Sequence, residues 1–439
     1  DTLRVNTHVV HRGAKQGHAR RAPFVRMAIG FDDLVAAGIT KGLDAMLVSN
    51  RDGSNGAAPF RPILANERVR FVGEPIAFIV ADTLEAARDA GEMVLYDLDE
   101  LPVHLELAPG GEVLHEGAPK NLAFDWAMGD QEATQAAFDC AAHQISLEVM
   151  DNRVIANSLE PRGCYADWDG IRLHACVNGQ GVWGAKSNLA KVLNLNIESV
   201  RVTNPDVGGG FGMKAMMYPE IYLCAHAAMA LNLPVRWYSD RTEAMLSDNS
   251  GRDLISVAEL AFDENYKIKA YRVNTVCNLG AYNSQMGQNI QTALFSKVLM
   301  GTYDVQTSWL NVKGVYTNTT QVDAYRGAGR PEAIYVLERT MDRAARELGI
   351  DPWELRRTNF IAKDAFPYRT TTGETYDVGD FAKVLAHAEH SADLKGYAAR
   401  KAQSQSKGKL RGQGLCYYIE SILGDPSETA KVSFKKDGT

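Results

Sequence analysis

The sequence predicts a mixed α+β protein of more than one domain, on three observations. Strand-like and helix-like apolar patterns alternate through the first hundred residues and again from 131 to 349. At 439 residues the chain exceeds what one hydrophobic core usually organises, which implies about two to three domains. Hydrophobic residues make up 45% and charged residues 23%, a balance that fits a buried interior and excludes a disordered or collagen-like chain.

The elements follow in order. Residues 70–80 (RFVGEPIAFIV) form a strand-like apolar run broken by one turn. Asp82 or Thr83 then caps a helix with Leu84, Ala87, Gly91 and Val94 on one face. Loop chemistry at Ala108–Gly111 and Gly117–Pro119 marks a domain boundary. ATQAAFDCAAHQISLEV reads as helix into strand, and Trp168-Asp169-Gly170 as the turn of a hairpin. WGAKSNLAKVLNL is helical and SVRVTNPDV a strand, followed by a glycine cluster and the apolar helix YPEIYLCAHAAMALNL. Pro234 opens another strand. Residues 254–280 are strand-rich around a turn at Asp263-Glu264-Asn265. A long helix runs over about 332–349 with Gly349 as its C-terminal cap. RKAQSQSKGKLR, basic and without an acidic residue, reads as a solvated loop.

Composition excludes several function classes. With 54 acidic against 47 basic residues, a net charge of −7 gives no support to nucleic-acid binding. No run of about twenty apolar residues suggests membrane insertion, and no signal peptide precedes the first strand. Six cysteines stand too far apart for any C-x-x-C pair, so zinc, iron–sulfur and disulfide frameworks are not expected within this chain, and a reducing, cytoplasmic setting is. His387 and His390 lie at helical spacing without a third ligand and read as surface residues. The chain starts with Asp1, and VSFKKDGT reads as a strand entering a hairpin turn with no following strand. Both features suggest a fragment.

Four constellations could carry chemistry. Gly208-Gly209-Gly210-Phe211-Gly212, between strand and helix, leaves backbone N–H groups open beside a helix N-terminus, or else merely allows close packing. It fails the dinucleotide fingerprint, because Met213 occupies the third glycine position. It also fails the Walker pattern, because Ala215 follows Lys214; a nucleotide-binding α/β protein is therefore disfavoured. Around Gly327-Ala328-Gly329, Arg326 and Arg330 either fork onto a ligand or pair with Asp323 or Glu332. Glu160 and Arg162 read as a buried ion pair. Gln180 offers both a donor and an acceptor, with Gly179 and Gly181 leaving it room.

Together these segments resemble the molybdenum-binding large subunit of the molybdenum hydroxylases, the family of xanthine dehydrogenase, aldehyde oxidase and aerobic carbon monoxide dehydrogenase. The resemblance runs in order through RVRFVGEP, NSLEPRG, PDVGGGFGMK, WYSDRTEAMLSDNSGR, NLGAY, TNTTQVDAYRGAGRPEA, ELGIDPWELRRTNFI and FPYRTTTGETYDVGDF. It implies an N-terminal α/β hammerhead domain over 1–118 and the first lobe of a molybdopterin-binding domain over 119–439. It carries cofactor contacts onto Gly209, Gly210, Phe211, Gly212, Gln180 and Arg326. The cofactor implied is molybdopterin with molybdenum, in the cytosine dinucleotide form, held by the pterin's own sulfurs; this agrees with the lack of a protein metal motif. The implied chemistry is hydroxylation of an aldehyde or N-heteroaromatic carbon with oxygen from water. The implied partners are a C-terminal large-chain half that holds the base glutamate, a 2Fe-2S small subunit and an FAD medium subunit.

Three departures bear on substrate. Copper–molybdenum carbon monoxide dehydrogenases place a cysteine after the loop arginine, where this chain has Gly327. Purine-type enzymes place a glutamate after the Gly-Phe-Gly-x-Lys loop and an aromatic two residues after the arginine, where this chain has Ala215 and Ala328. The base glutamate's lobe is not in the sequence; Glu74, in a similar V-G-E tripeptide, matches a different N-terminal segment. The expectation is one half of an active site with little or no turnover alone. A carbon monoxide dehydrogenase-like chain lacking the copper ligand and a non-catalytic assembly scaffold stand as alternatives.

Overall fold

The computed structural model describes residues 16–422, 424 and 429–438, with the backbone of the short strands Thr2–Arg4 and Val9–His11; the reading of Asp1 lies outside them. Strand β1 (Val25–Ile29) and Thr2–Arg4 flank β2 (Pro75–Ala81) in an antiparallel sheet. The unbroken apolar run of β2 is explained by burial on both faces. Ala77 and Ile79 pack with Ala87 and Ala90 of α1 (Leu84–Glu92), while Phe78 points the other way into a second core. Thr83 caps α1 by accepting from the Ala86 N–H. Leu84, expected on the buried face, is exposed at the first turn.

Two larger sheets build the rest. Strands β3 (Leu122–Gly129), β4 (His143–Asp151), β9 (Leu254–Phe262), β10 (Ile268–Gly280) and β11 (Thr307–Tyr316) form one sheet in the order β3-β11-β10-β9-β4. The β9–β10 pair is a hairpin in register from Leu254↔Cys277 to Phe262↔Ile268, and β10–β11 is parallel. Helix α2 (Gln131–Asp139) packs on β10 and β11, and α5 (Arg330–Leu348) lies across β4 and β9 and buries Val336, Leu337, Met341 and Ala344 against Leu260, Val273 and Leu310. Its C-terminal cap is Gly349 in the left-handed region, as expected.

The second sheet orders β7-β6-β5-β8 from β5 (Gly163–Trp168), β6 (Leu173–Val177), β7 (Val200–Thr203) and β8 (Val235–Tyr238). Helix α3 (Trp183–Val192) packs near β7, and α4 (Pro219–Leu231) lies across β5. The core between them takes Cys164, Ala166, Tyr222, Cys224 and Trp237, and also Ile29, Leu34 and Phe78 from the N-terminal region. The N-terminal segment is thus locked onto the sheet that carries the glycine loop.

Two expectations change. Residues 397–406 form a helix rather than a loop, because Ala, Arg, Lys and Gln are strong helix formers even on a solvated surface. Val432–Phe434 is not a strand, since no ladder partner meets it among the described residues.

Candidate active site

The glycine loop leaves β7 and is fixed at both ends. The Gly208 N–H donates to Glu160 Oε2 at 2.8 Å, and the buried Lys214 ammonium donates to the same oxygen at 2.9 Å. Burial works against the Glu160 charge, but these donors outweigh it and hold the carboxyl below its usual range. Glu160 therefore braces the loop and does not pair with Arg162. Arg162 instead sits buried between Glu220 (2.9 Å) and Asp248 (2.6 Å), stacked 3.8 Å over the Tyr218 ring. Burial penalises its cation, and the two carboxylates more than compensate, raising its pKa.

Within the loop, two glycines are demanded by space. A Cβ on Gly210 would lie 2.4 Å from Gln180 Oε1, and one on Gly212, at φ 95°, would lie 2.7 Å from the Ala324 carbonyl oxygen. Gln180 Oε1 accepts from the Gly212 N–H at 2.8 Å, leaving its NH2 group free. Phe211 adopts φ 56° and stays 43% exposed, while Met213, Met216 and Tyr218 form a small core of their own. The N–H groups of Gly209, Gly210 and Phe211 make no hydrogen bond among the described residues. The loop is not beside a helix N-terminus as expected. A 3-10 turn at Met213–Ala215 intervenes, and α4 begins only at Pro219.

The arginine loop meets this one directly. The Arg326 N–H donates to the Phe211 carbonyl at 2.8 Å, and the exposed guanidinium lies 6.0 Å from the Phe211 ring centroid. Arg326 makes no side-chain hydrogen bond or ion pair among the described residues. Arg330 pairs with Glu420 and Glu332 with Arg252, so neither loop arginine fixes the turn in the way pairing with Asp323 or Glu332 would have. Arg330 donates to the Ala328 carbonyl at 3.1 Å, and the start of the turn is held by Arg252, whose role was not recognised from sequence. Its guanidinium donates to the Tyr325 and Arg326 carbonyls at 2.9 Å each. Neighbouring Gly251 has no room for a Cβ, which would lie 2.3 Å from Tyr325 Cβ.

Gln180, Gly209, Gly210, Phe211, Gly212 and Arg326 thus converge on one surface. Behind Gln180 opens a cavity of about 150 Å³ bordered by Ala215, Met216, Ala185 and Trp237. Open backbone donors, a free amide NH2 and an unpaired guanidinium suit an oxygen-rich anionic group such as a phosphorylated pterin. Among the described residues no His, Cys, Asp and Glu cluster could hold a metal directly. No helix among them is long and apolar enough to cross a membrane.

Known proteins resemble this chain over most of its length. A family model described as the molybdopterin cofactor-binding domain matches residues 114–360. The carbon monoxide dehydrogenase large chain of Hydrogenophaga pseudoflava is 35% identical over 395 residues, covering 84% of this chain and 49% of its own. The nicotine 6-hydroxylase large subunit of Paenarthrobacter nicotinovorans is 31% identical over 370 residues, covering 82% of this chain and 45% of its own. The crystal structure of quinoline 2-oxidoreductase from Pseudomonas putida 86 superposes with a TM-score of 0.84 at 28% identity, over 93% of this chain and 52% of that one. The chain spans about half the length of the curated relatives it matches. It belongs to the molybdopterin cofactor-binding family of molybdenum hydroxylase large subunits.

Proposed function

We propose that this chain forms one wall of a molybdenum hydroxylase active site that oxidises an aldehyde or N-heteroaromatic carbon with oxygen derived from water. The observation that carries this reading is the convergence of Gln180, the 209–212 loop and Arg326, with their donors facing outward. When bound, the molybdenum cofactor supplies the oxidation–reduction chemistry at the substrate carbon. The chain's own residues bind and orient. The open N–H groups and Arg326 hold anionic oxygens, and Gln180 presents its NH2 at an angle fixed by the Gly212 bond. Phe211 offers an aromatic face beside the Arg326 guanidinium.

The departures from relatives gain a physical reason. Gly327 has φ 102°, and a Cβ there would lie 2.3 Å from Pro331 Cγ, so the loop has no room for a copper-binding cysteine. This argues against carbon monoxide as substrate. Ala215 and Ala328 provide no charged or aromatic pair for a purine. The remaining parts of the reading are proposals of the same kind. They are a hammerhead domain over 1–118 and a first lobe over 119–439, the cytosine dinucleotide form of the pterin, and a cytoplasmic assembly. That assembly would contain a C-terminal half with the base glutamate, a 2Fe-2S subunit and an FAD subunit. Molybdenum and pterin analysis of the whole enzyme tests the reading; a folded enzyme lacking both contradicts it.

A further inference from the structure

The cavity behind Gln180 is bordered by a side-chain amide that bonds nothing else in the chain. Its volume, about 150 Å³, matches a space that takes one benzene-sized ring. Val177, Met216, Met217 and Ile221 give it apolar walls, the usual make-up of a pocket for a small organic ligand. All three charged residues on its border are neutralised within the chain, Arg162 by Glu220 and Asp248 and Lys214 by Glu160. A charged ligand would leave water for a space with no free counter-ion, so the cavity favours a neutral one.

Four side-chain amides also border the cavity. Asn178 is bonded at both ends, its Oδ1 accepting from the Gly163 N–H and its Nδ2 donating to the Pro161 carbonyl. Asn188 donates to the Gly184 carbonyl, and Gln180 accepts from the Gly212 N–H. The half-buried Gln285 makes no side-chain hydrogen bond among the described residues. Gln285 also borders a recess of about 10 Å³, too small for a ring, so a ring-sized ligand meets it from the cavity. A primary amide with both ends free presents a donor beside an acceptor. Its complement is a cis-amide edge, a ring N–H next to a ring carbonyl, which pairs with it through two hydrogen bonds.

We infer that Gln285 selects the substrate, a neutral single-ring N-heterocycle carrying such a lactam edge. The inference rests on the molybdenum hydroxylase reading and narrows its substrate class. The pterin of the cofactor carries the same kind of edge; its fused rings exceed the one-ring volume, which favours the substrate, and the experiment separates the two.

The test is calorimetric titration of the whole enzyme containing this chain with 2-pyridone, which has the edge, and with phenol, a ring of the same size without it. Wild type, Gln285→Leu and Gln285→Glu are compared, with molybdenum and pterin measured on the same samples. Wild type is expected to bind 2-pyridone about tenfold or more tightly than phenol, the worth of one to two net hydrogen bonds. Gln285→Leu should erase that preference while phenol affinity, metal and pterin stay unchanged. Gln285→Glu, whose carboxylate only accepts, should transfer the preference to 2-aminopyridinium, which only donates. Equal binding of 2-pyridone and phenol by wild type, or an undiminished preference for 2-pyridone in either variant, overturns the inference. So does loss of pterin from Gln285→Leu, which would assign the amide to the cofactor. Absence of molybdenum from wild type would defeat the functional reading while leaving the 2-pyridone comparison interpretable.

Discussion

The Arg326 N–H donates to the Phe211 carbonyl at 2.8 Å, and this one bond joins the two segments that carry the family resemblance. Each segment carries a strained residue beside it. Phe211 has φ 56°, and on the other side Ala328 has φ 41° between Gly327 and Gly329. Such strain persists only where the surroundings over-determine it, as they do at binding sites.

Arg252 holds that junction from below, so Arg252→Met should loosen it. The substitution strips a buried carboxylate, Glu332, of its partner and leaves the Tyr325 and Arg326 carbonyls without their donor. A loss of about 3–5 kcal/mol is expected, read as a lower denaturation midpoint together with lower cofactor content. An unchanged midpoint would show that the arginine loop is held by other contacts.

Arg162→Met removes the guanidinium shared by Glu220 and Asp248 at the floor of the cavity. The expected cost is again about 3–5 kcal/mol, because two buried carboxylates lose their cation. Chemical denaturation monitored by tryptophan fluorescence reads it, since Trp237 lies beside Arg162.

Gly327→Cys tests the argument about carbon monoxide. The new Cβ meets Pro331 at a distance no side chain tolerates, so the variant should lose about 1–3 kcal/mol. It should show no carbon monoxide oxidation even when supplied with copper. Measurable oxidation would mean that the loop adapts and that the cysteine alone defines that activity.

His115 makes stability depend on pH. It is buried between Tyr282 and Tyr316 with Nε2 on the Ala281 carbonyl, and burial lowers its pKa to about 4 from the ordinary 6.5. The unfolded chain therefore binds a proton between pH 6.5 and 4 that the folded chain refuses. Stability is intact above pH 6.5 and declines as pH falls toward 4, by at most about 1.4 kcal/mol per pH unit. His115→Gln should flatten the decline in midpoints measured from pH 7 to pH 5. An identical slope in wild type and variant would refute the assignment.

Much of this was legible in the sequence, for identifiable reasons. Local signals placed α1 through Thr83, the β9–β10 hairpin through Asp263, and the end of α5 through Gly349. Gln180, the 209–212 loop and Arg326 lie together on one surface. Long-range partners were not legible: Glu160 and Arg162 sit two apart yet serve different networks, because the turn between them sends their side chains toward Lys214 and Glu220 respectively. Arg252 was missed because its partners are backbone carbonyls, which carry no sequence signature.

The most direct test of the central claim is molybdenum and pterin content of the whole enzyme, wild type against Gly210→Val, from a host that makes the cofactor. The variant's side chain would occupy the space of Gln180, whose Oε1 would lie 2.4 Å from the new Cβ. Near-stoichiometric molybdenum in wild type, lost from a variant whose circular dichroism is unchanged, is the predicted result. A well-folded wild type without molybdenum, or a variant that retains it in full, would contradict the account.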